Sequence, residues 1–244
     1  MASIIEGLDR RFYPAYSRNW DDQLFRQILL ERITPQSDVL DLGAGAGIVS
    51  QMNFRGFARR VCGVDPDERV LRNPYLDDAR VGTGEAIPYP DSCFDIVFAD
   101  NVFEHLQRPE LVLGEVWRVL KPGGSLLFKT PNAFHYVPLI ARITPLAFHR
   151  AVNKIRGRAA QDTFPTVYKA NSIRAIDRLA RTTRFQIVDI RLIEGRPEYL
   201  RISPITYLAG LTYERLVNAT EALANLRVLL IAELKKPGRN KVPA

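Results

Sequence analysis

The sequence has few cysteines and no long uncharged run. Cys62 and Cys93 are the only two cysteines among 244 residues, which is too few for a disulfide framework, and their spacing suits no metal site. No stretch approaches about 18 uncharged apolar residues, the length that a membrane-spanning helix needs. The first residues also lack the basic-then-apolar order of a signal peptide. We therefore expect a cytoplasmic protein that holds no metal.

Internal repeats and low-complexity tracts are also missing, and the composition is that of a globular protein with 46% hydrophobic and 25% charged residues. The length suits one domain with additions. The net charge of +7 would favour anionic partners. Because the basic residues lack the aromatic interleaving of nucleic-acid modules, we do not expect nucleic acid as a partner, and a solvated basic face explains the charge.

The sequence does contain an apolar run at 39–42, interrupted by Asp41, that gives way to three alternating glycines. A short continuous apolar run predicts a buried parallel strand. Gly43, Gly45 and Gly47 permit positive φ angles and let a ligand approach the backbone. Since ligands bind beyond the carboxyl ends of strands in open α/β sheets, this turn predicts a site for a nucleotide-like cofactor.

A second apolar run, 60–65, ends in Asp65 about 20 residues beyond the turn. An acid in that place can accept hydrogen bonds from ribose hydroxyls. A dinucleotide-binding turn would need its third glycine at position 48, where the chain has Ile48, and the glycine falls at 47 instead. An NAD-dependent oxidoreductase is therefore only an alternative.

Strand-like and helix-like segments alternate along the chain. We predict an α/β fold: a doubly wound, Rossmann-like, mostly parallel sheet with helices on both faces and a helical cap insertion after the fifth strand. A helix is expected from the glycine turn to about Arg55, and another from Pro109 to Leu120. We predict a single domain, 1–244, that consists of an N-terminal cap or helix (1–36), a cofactor-binding core (37–130), an insertion (133–171) and a C-terminal helix with strands (172–234).

Five motifs together resemble the class I S-adenosylmethionine-dependent methyltransferases, specifically the type 11 small-molecule group. The motifs are the 39–47 run, Asp65, the loop 82–95, the run 101–105 and the segment 120–124. They span roughly 37–130. The resemblance implies an enzyme that takes a methyl group from S-adenosyl-L-methionine and leaves S-adenosyl-L-homocysteine.

The resemblance also implies roles for individual residues. Asp41 and the glycine turn would hold the methionine portion, Asp65 the ribose and the loop after residue 82 the adenine. The family commonly has Asp where this chain has Thr83, which puts the adenine contact in doubt. The cofactor-binding residues expected from the sequence are Asp41, Gly43, Gly45, Gly47, Asp65, Gly84, Glu85, Ala86 and Asp100.

A hydroxyl acceptor would benefit from a base near the carboxyl ends of the strands, although positioning alone accelerates methyl transfer. His105, beside Glu104, is one candidate, and helix packing is its alternative role. His135, beside Tyr136, is the other candidate, because it lies where the family varies. His149 is expected to be structural.

The acceptor should be recognised by the insertion 133–171 and by a hydrophobic segment, 202–226. The insertion joins apolar residues, such as Leu146 and Phe148, with basic ones, namely Arg142, Arg150, Lys154, Arg156 and Arg158. This mixture favours an amphipathic or anionic small molecule, such as a saccharide or lipid-linked intermediate, and would permit peripheral membrane contact. A cap folded on its own apolar side remains open, and so does a non-catalytic module that binds S-adenosylmethionine.

Overall fold

The computed structural model describes residues 2–16, 19–143 and 165–238. Its strands are β1 (Asp38–Leu42), β2 (Arg60–Asp65), β3 (Asp78–Val81), β4 (Phe94–Asp100), β5 (Leu120–Pro131), β6 (Gln186–Ile193) and β7 (Leu229–Lys235). Its α-helices are α1 (Ala2–Phe12), α2 (Trp20–Leu30), α3 (Pro109–Val119), α4 (Tyr136–Ile143), α5 (Ile173–Thr182) and α6 (Pro204–Asn218). Short 3-10 helices span Ser50–Met52, Glu68–Arg72, Phe103–His105, Glu198–Leu200 and Glu221–Leu226.

The seven strands form one sheet in the order β3-β2-β1-β4-β5-β7-β6. β1 is buried along its whole length and pairs in parallel with both β2 and β4. The chain runs outward from β1 to β3 and then returns to β4 on the other side of β1. Such a reversal leaves a crevice at the carboxyl ends of the central strands, where α/β sheets bind their ligands. The predicted doubly wound, mostly parallel sheet is confirmed.

The chain divides into two compact units. The first consists of Met1–Trp20, Pro131–Thr166 and Leu192–Leu230, and α1 and α6 pack there around Ile5, Tyr13 and Tyr207. The second consists of Asp21–Thr130, Val167–Arg191 and Ile231–Ala244, and it contains β1 to β4. From the sequence we predicted one domain with four segments, and that organisation stays a prediction.

The helix expected after the glycine turn does not form. The segment has only the 3-10 helix Ser50–Met52, which begins after Val49 without a side-chain cap. Arg26 Nη1 donates to the carbonyl oxygens of Gln51 and Asn53, both at 2.6 Å, so these carbonyls need no helical partner. The Arg26 guanidinium also lies 4.9 Å from the centre of the Phe54 ring. α2 thus supports this segment in addition to two backbone hydrogen bonds of its own, from Met52 N to Val49 O at 3.0 Å and from Asn53 N to Ser50 O at 3.2 Å.

Other expected elements agree closely with the structure. α3 begins at Pro109 and ends one residue before the predicted limit. Ser172 caps α5, since its Oγ accepts a hydrogen bond of 3.3 Å from Ala175 N. In the described part of the chain no helix is long and apolar enough to cross a membrane.

α4 follows β5 directly, and Arg142 belongs to its last turn. The predictions for Leu146, Phe148, His149, Arg150, Lys154, Arg156 and Arg158 lie outside the described residues.

Candidate functional site

The glycine turn after β1 is built on three positive φ angles. These are +83° at Gly43, +50° at Gly45 and +71° at Gly47. A Cβ atom at Gly47 would lie 2.4 Å from Asn73 Oδ1, whereas one at Gly45 would meet no atom within 4 Å. Gly47 is therefore required by packing, and Gly45 leaves open space above the backbone for a ligand.

Asn73, which no sequence motif identified, holds this turn in place. Its Nδ2 donates to the carbonyl oxygens of Ala44 at 2.9 Å and Gly45 at 3.3 Å. Its Oδ1 accepts from Tyr75 N at 2.9 Å. The buried amide is thus fixed at both ends, and it orients the turn through two carbonyls.

Asp65 ends β2 beside the same turn. Its Oδ2 accepts from Gly45 N at 2.9 Å and its Oδ1 from Asp67 N at 2.8 Å. Each carboxylate oxygen has a second lone pair, so the group can still accept hydrogen bonds from a ligand.

Asp41 and Asp100 bring two further carboxylates to this edge of the sheet. Asp41 is 7% exposed, and its carboxylate hydrogen-bonds to no other described residue. Burial, and then the charges of Asp100 and Asp65, raise the pKa of Asp41 well above its usual value. Burial likewise raises the pKa of Asp100 to about 6, although the Lys129 ammonium opposes that shift.

Lys129 is a buried cation at the same edge, and no sequence pattern indicated its role. Its fully buried ammonium lies 3.0 Å from Asp100 Oδ1 and 3.0 Å from Asp21 Oδ2, and it also binds Asp22. Burial alone would lower the pKa of Lys129, but the three carboxylates outweigh burial and raise it. Asp22 is mostly buried too, and burial raises its pKa. This cluster fastens the first turn of α2 to β4 and β5.

The loop after β3 contains the three residues expected at the adenine. Thr83 O accepts from Ala86 N at 3.1 Å, which closes a tight turn. A Cβ atom at Gly84 would lie 3.1 Å from Val112 Cγ1. The Glu85 carboxylate forms an ion pair with Arg108, which comes just before α3. Glu85 is therefore already engaged by a cation.

His105 lies in the short helix after β4, in the same unit as the glycine turn. Its side chain is 30% exposed, and its Nε2 is 3.9 Å from Glu104 Oε1. Glu104 is buried, accepts from Thr130 Oγ1 at 2.9 Å and has a pKa that burial raises. An accessible imidazole beside an oriented carboxyl group is an arrangement that can take up a proton.

His135 lies in the other unit and is 1% exposed. Its Nδ1 accepts from Val137 N at 3.4 Å, which places the proton of the neutral ring on Nε2. That Nε2 has no hydrogen-bond partner in the described residues and lies 3.8 Å from Glu194 Oε2. Burial lowers the pKa of His135 to about 3 and raises that of Glu194 to about 8, so both groups are uncharged at neutral pH.

Comparisons with known proteins point to one family. The methyltransferase domain family matches residues 40–128. A protein of Mycolicibacterium smegmatis, named as a probable S-adenosylmethionine-dependent methyltransferase, is 39% identical over 118 residues, which cover 46% of this chain and 44% of that protein. The malonyl-[acyl-carrier protein] O-methyltransferase of Methylococcus capsulatus is 36% identical over 104 residues, which cover 39% of this chain and 38% of that enzyme. The chain thus spans less than half the length of these relatives.

A solved structure extends the likeness to the fold. The [4+2]-cyclase SpnF superimposes with a TM-score of 0.59 at 18% sequence identity, over 92% of this chain and 83% of that one. At this identity the likeness concerns the fold alone.

Proposed function

We propose that this protein transfers a methyl group from S-adenosyl-L-methionine to a small-molecule acceptor, because residues 40–128 match the methyltransferase domain family and a probable S-adenosylmethionine-dependent methyltransferase is among the relatives. The observation that carries the proposal is the edge of the sheet where the glycine turn meets buried carboxylates. The turn leaves room above Gly45, and Asp41 has no hydrogen-bond partner among the described residues.

These residues fit the cofactor by charge. A buried carboxylate without a cation is costly, and its raised pKa reports that cost. The methionine end of S-adenosylmethionine brings an ammonium and a sulfonium, which would relieve the cost at Asp41 and Asp100. The lone pairs that remain on Asp65 would accept from the ribose hydroxyls. Gly84, Glu85 and Ala86 would border the adenine.

The bound cofactor supplies an electrophilic methyl group whose leaving group is the neutral thioether of S-adenosylhomocysteine. The protein has to position the acceptor in line with the methyl–sulfur bond and, for a hydroxyl, accept its proton. His105 suits that task through its exposure and its neighbour Glu104. His135 is the second candidate, and its Nε2–H suits hydrogen-bond donation better than proton uptake.

For the acceptor we propose a hydroxyl of an amphipathic or anionic metabolite, such as a saccharide or lipid-linked intermediate, and we place the reaction in the cytoplasm. The net charge of +7 supports an anionic acceptor. The relatives include an O-, an N- and a C-methyltransferase, and we favour oxygen because a hydroxyl acceptor would make use of a histidine base. Both cysteines are free thiols, as a reducing compartment would leave them.

A module that binds the cofactor without catalysis is the second candidate. Two observations favour it: Thr83 supplies no carboxylate for the adenine, and Arg108 already occupies Glu85. Such a module would bind S-adenosylhomocysteine weakly and turn over no acceptor.

Calorimetry with S-adenosylhomocysteine tests both candidate functions, the methyltransferase and the non-catalytic module. We expect saturable binding that Asp65→Ala weakens at least about tenfold, whereas Asp177→Ala, on the solvent side of α5, leaves it unchanged. Incubation with methyl-labelled donor and a panel of hydroxylated acceptors then separates enzyme from module. Absence of any binding would overturn both.

A further inference from the structure

β6 is the last strand of the sheet, and only β7 lies beside it among the described residues. None of the eight residues of β6 is fully buried, and Ile187 and Val188 are 38% and 50% exposed. Five of the eight are Ile, Val or Leu, and none is Pro, Gly or Lys. A long apolar strand at the end of a sheet pairs readily with another strand when it lacks such residues. The side of β6 that faces away from β7 is therefore suited to strand addition.

The charges of β6 are arranged symmetrically about its centre. Asp189 and Arg191 are its only charged residues, and they lie two positions apart on one face of the sheet. Their side chains are 41% and 48% exposed and form an ion pair within the strand. Ile190 lies between them and shares the opposite face with Val188 and Leu192. The strand thus has apolar residues at equal distances from Ile190 and opposite charges on its two sides.

We propose that two copies of this chain form a dimer in which their β6 strands pair antiparallel, with Ile190 of one copy opposite Ile190 of the other. This register sets Asp189 of each copy opposite Arg191 of the other, and Val188 opposite Leu192. Cross-strand pairs of opposite charge stabilise a sheet, and so do apolar pairs. Because a two-fold axis relates the copies, each favourable pair occurs twice.

The charges also exclude the neighbouring registers. In a two-fold antiparallel pair, the residue at the axis lies opposite itself. An axis at Asp189 would set two carboxylates opposite each other, and an axis at Arg191 would do the same with two guanidinium groups. Like charges directly opposite each other destabilise a sheet. The register centred on Ile190 is therefore the one that the charges select.

β3, the strand at the other end of the sheet, provides a comparison. It has a similar ion pair, between Asp78 and Arg80. However, β3 has only four residues, and Arg80 is already engaged. Its Nη1 donates to Pro88 O, and its guanidinium lies 4.2 Å from the centre of the Tyr89 ring. β3 is thus a poorer surface for pairing, and its acid supplies a matched control.

Sedimentation velocity on the full chain at several concentrations measures the dissociation constant of the dimer. Asp189→Arg and Arg191→Asp should each weaken the dimer at least about tenfold, because two pairs in each dimer change from attraction to repulsion. An equimolar mixture of the two variants should form a heterodimer, since every charge then meets its opposite. Asp78→Arg should leave the dissociation constant unchanged. Thermal melting identifies any variant that fails to fold.

Cysteine substitution tests the register itself. Ile190→Cys should link two copies through a disulfide on mild oxidation, because directly opposed residues lie within disulfide reach. Ile187→Cys should not, because its two copies would lie about 20 Å apart along the paired strands. The parent chain, with free Cys62 and Cys93, gives the background.

Several results would overturn the inference. One is a parent chain that stays monomeric at every concentration, and another is a mixture of Asp189→Arg and Arg191→Asp that forms no heterodimer. A dimer that Asp78→Arg disrupts and Asp189→Arg does not would place the interface at β3 instead. A disulfide at position 187 and none at 190 would contradict the register. None of these results bears on methyl transfer, so the proposed function is tested separately.

Discussion

Asp100 and Lys129 are opposite each other in the register of β4 and β5, and their side chains form an ion pair of 3.0 Å. The lysine is fully buried, so its charge depends on Asp100, Asp21 and Asp22 for compensation. Replacing it would leave buried carboxylates without a cation. Through Lys129, the position of α2 is therefore coupled to the charge of Asp100 at the carboxyl end of β4.

We therefore expect Lys129→Met to lower the free energy of unfolding by about 3–5 kcal/mol, as removal of one partner from a buried ion pair does. Denaturant titration at pH 7 measures the change. Lys121→Met is the control, because Lys121 also contacts two acids, Asp38 and Asp95, but its side chain is 32% exposed. It should cost only about 1 kcal/mol. Equal losses would show that burial of Lys129 is not decisive.

Alanine substitutions at the glycines of the turn should distinguish an effect on the stability of the fold from an effect on ligand binding. Ala at any of Gly45, Gly47 and Gly56 is strained by a positive φ, at a cost of about 1–2 kcal/mol. Gly47→Ala should cost more, because its Cβ would meet Asn73 Oδ1. Gly45→Ala should match Gly56→Ala in stability, since neither Cβ meets an atom within 4 Å.

In binding, however, we expect Gly45→Ala to weaken S-adenosylhomocysteine affinity at least about tenfold, because its Cβ would enter the space above the turn. Gly56→Ala, in the loop that follows the short Ser50–Met52 helix, should bind as the parent does. Calorimetry on the two variants is the measurement. Parent-like affinity in Gly45→Ala would mean that the ligand does not lie over this turn.

The sequence predicted the sheet and the glycine turn well because both depend on local patterns. The apolar run that forms β1 and the glycines at 43, 45 and 47 can be recognised in the sequence without knowledge of tertiary contacts. Asp65, which ends β2, can be recognised too, since its separation in sequence from the turn is set by the single segment that connects β1 to β2. The helix prediction after the turn was wrong, and the contacts that hold that segment come partly from Arg26, far earlier in the chain, which binds the carbonyls of Gln51 and Asn53 and which no local pattern shows.

The same reason explains why Asn73, Lys129 and the acids of α2 were missed as parts of the site. Each acts through contacts with residues 28 to 108 positions away in the chain, and nothing in its own sequence neighbourhood indicates that role. A lysine in a strand normally indicates a solvated position. Only the register that sets Lys129 beside Asp100 shows a buried ion pair.

Asn73→Ala should weaken cofactor binding without removing any group that we expect to touch the cofactor. The variant loses the two hydrogen bonds that fix the carbonyls of Ala44 and Gly45. We expect about a five- to fiftyfold loss of S-adenosylhomocysteine affinity, or about 1–2 kcal/mol. Asn53→Ala is the control, because Asn53 Oδ1 accepts from Arg55 N in an exposed turn. A conservative variant, Asn73→Ser, should recover part of the loss, and an unchanged affinity in Asn73→Ala would contradict the role.

Donor affinity should depend on pH through Asp100. Burial raises the pKa of this carboxyl to about 6 in the absence of ligand, and a bound cation would lower it. The part of donor affinity that depends on Asp100 should therefore be complete above about pH 7 and fall as pH drops through 6, with at most about a tenfold loss per pH unit. Calorimetry near pH 6 in buffers of different ionisation enthalpy should reveal proton release on binding. Asp100→Asn should bind more weakly and lose most of this dependence; a parent-like profile in that variant would assign the titration elsewhere.

Glu194 should make the protein's stability depend on pH in the opposite sense to a salt-bridged acid. Burial raises its pKa from 4.5 to about 8. Between pH 4.5 and pH 8, therefore, Glu194 is protonated in the folded protein and ionised in the unfolded chain. The contribution of Glu194 to stability is complete at pH 4.5 and falls as pH rises toward 8. Glu194→Gln keeps an oxygen that can accept from Val228 N but cannot ionise.

We therefore expect Glu194→Gln to match the parent in unfolding free energy near pH 5 and to exceed it by about 1–3 kcal/mol near pH 8.5. Denaturant titrations at both pH values measure the difference. Glu221→Gln is the control, because Glu221 is 85% exposed and should change stability by less than about 1 kcal/mol at either pH. A Glu194→Gln variant less stable than the parent at pH 8.5 would mean that the fold favours the ionised form of Glu194, which contradicts a raised pKa. The carboxylate would then form an ion pair with a protonated His135, 3.8 Å away.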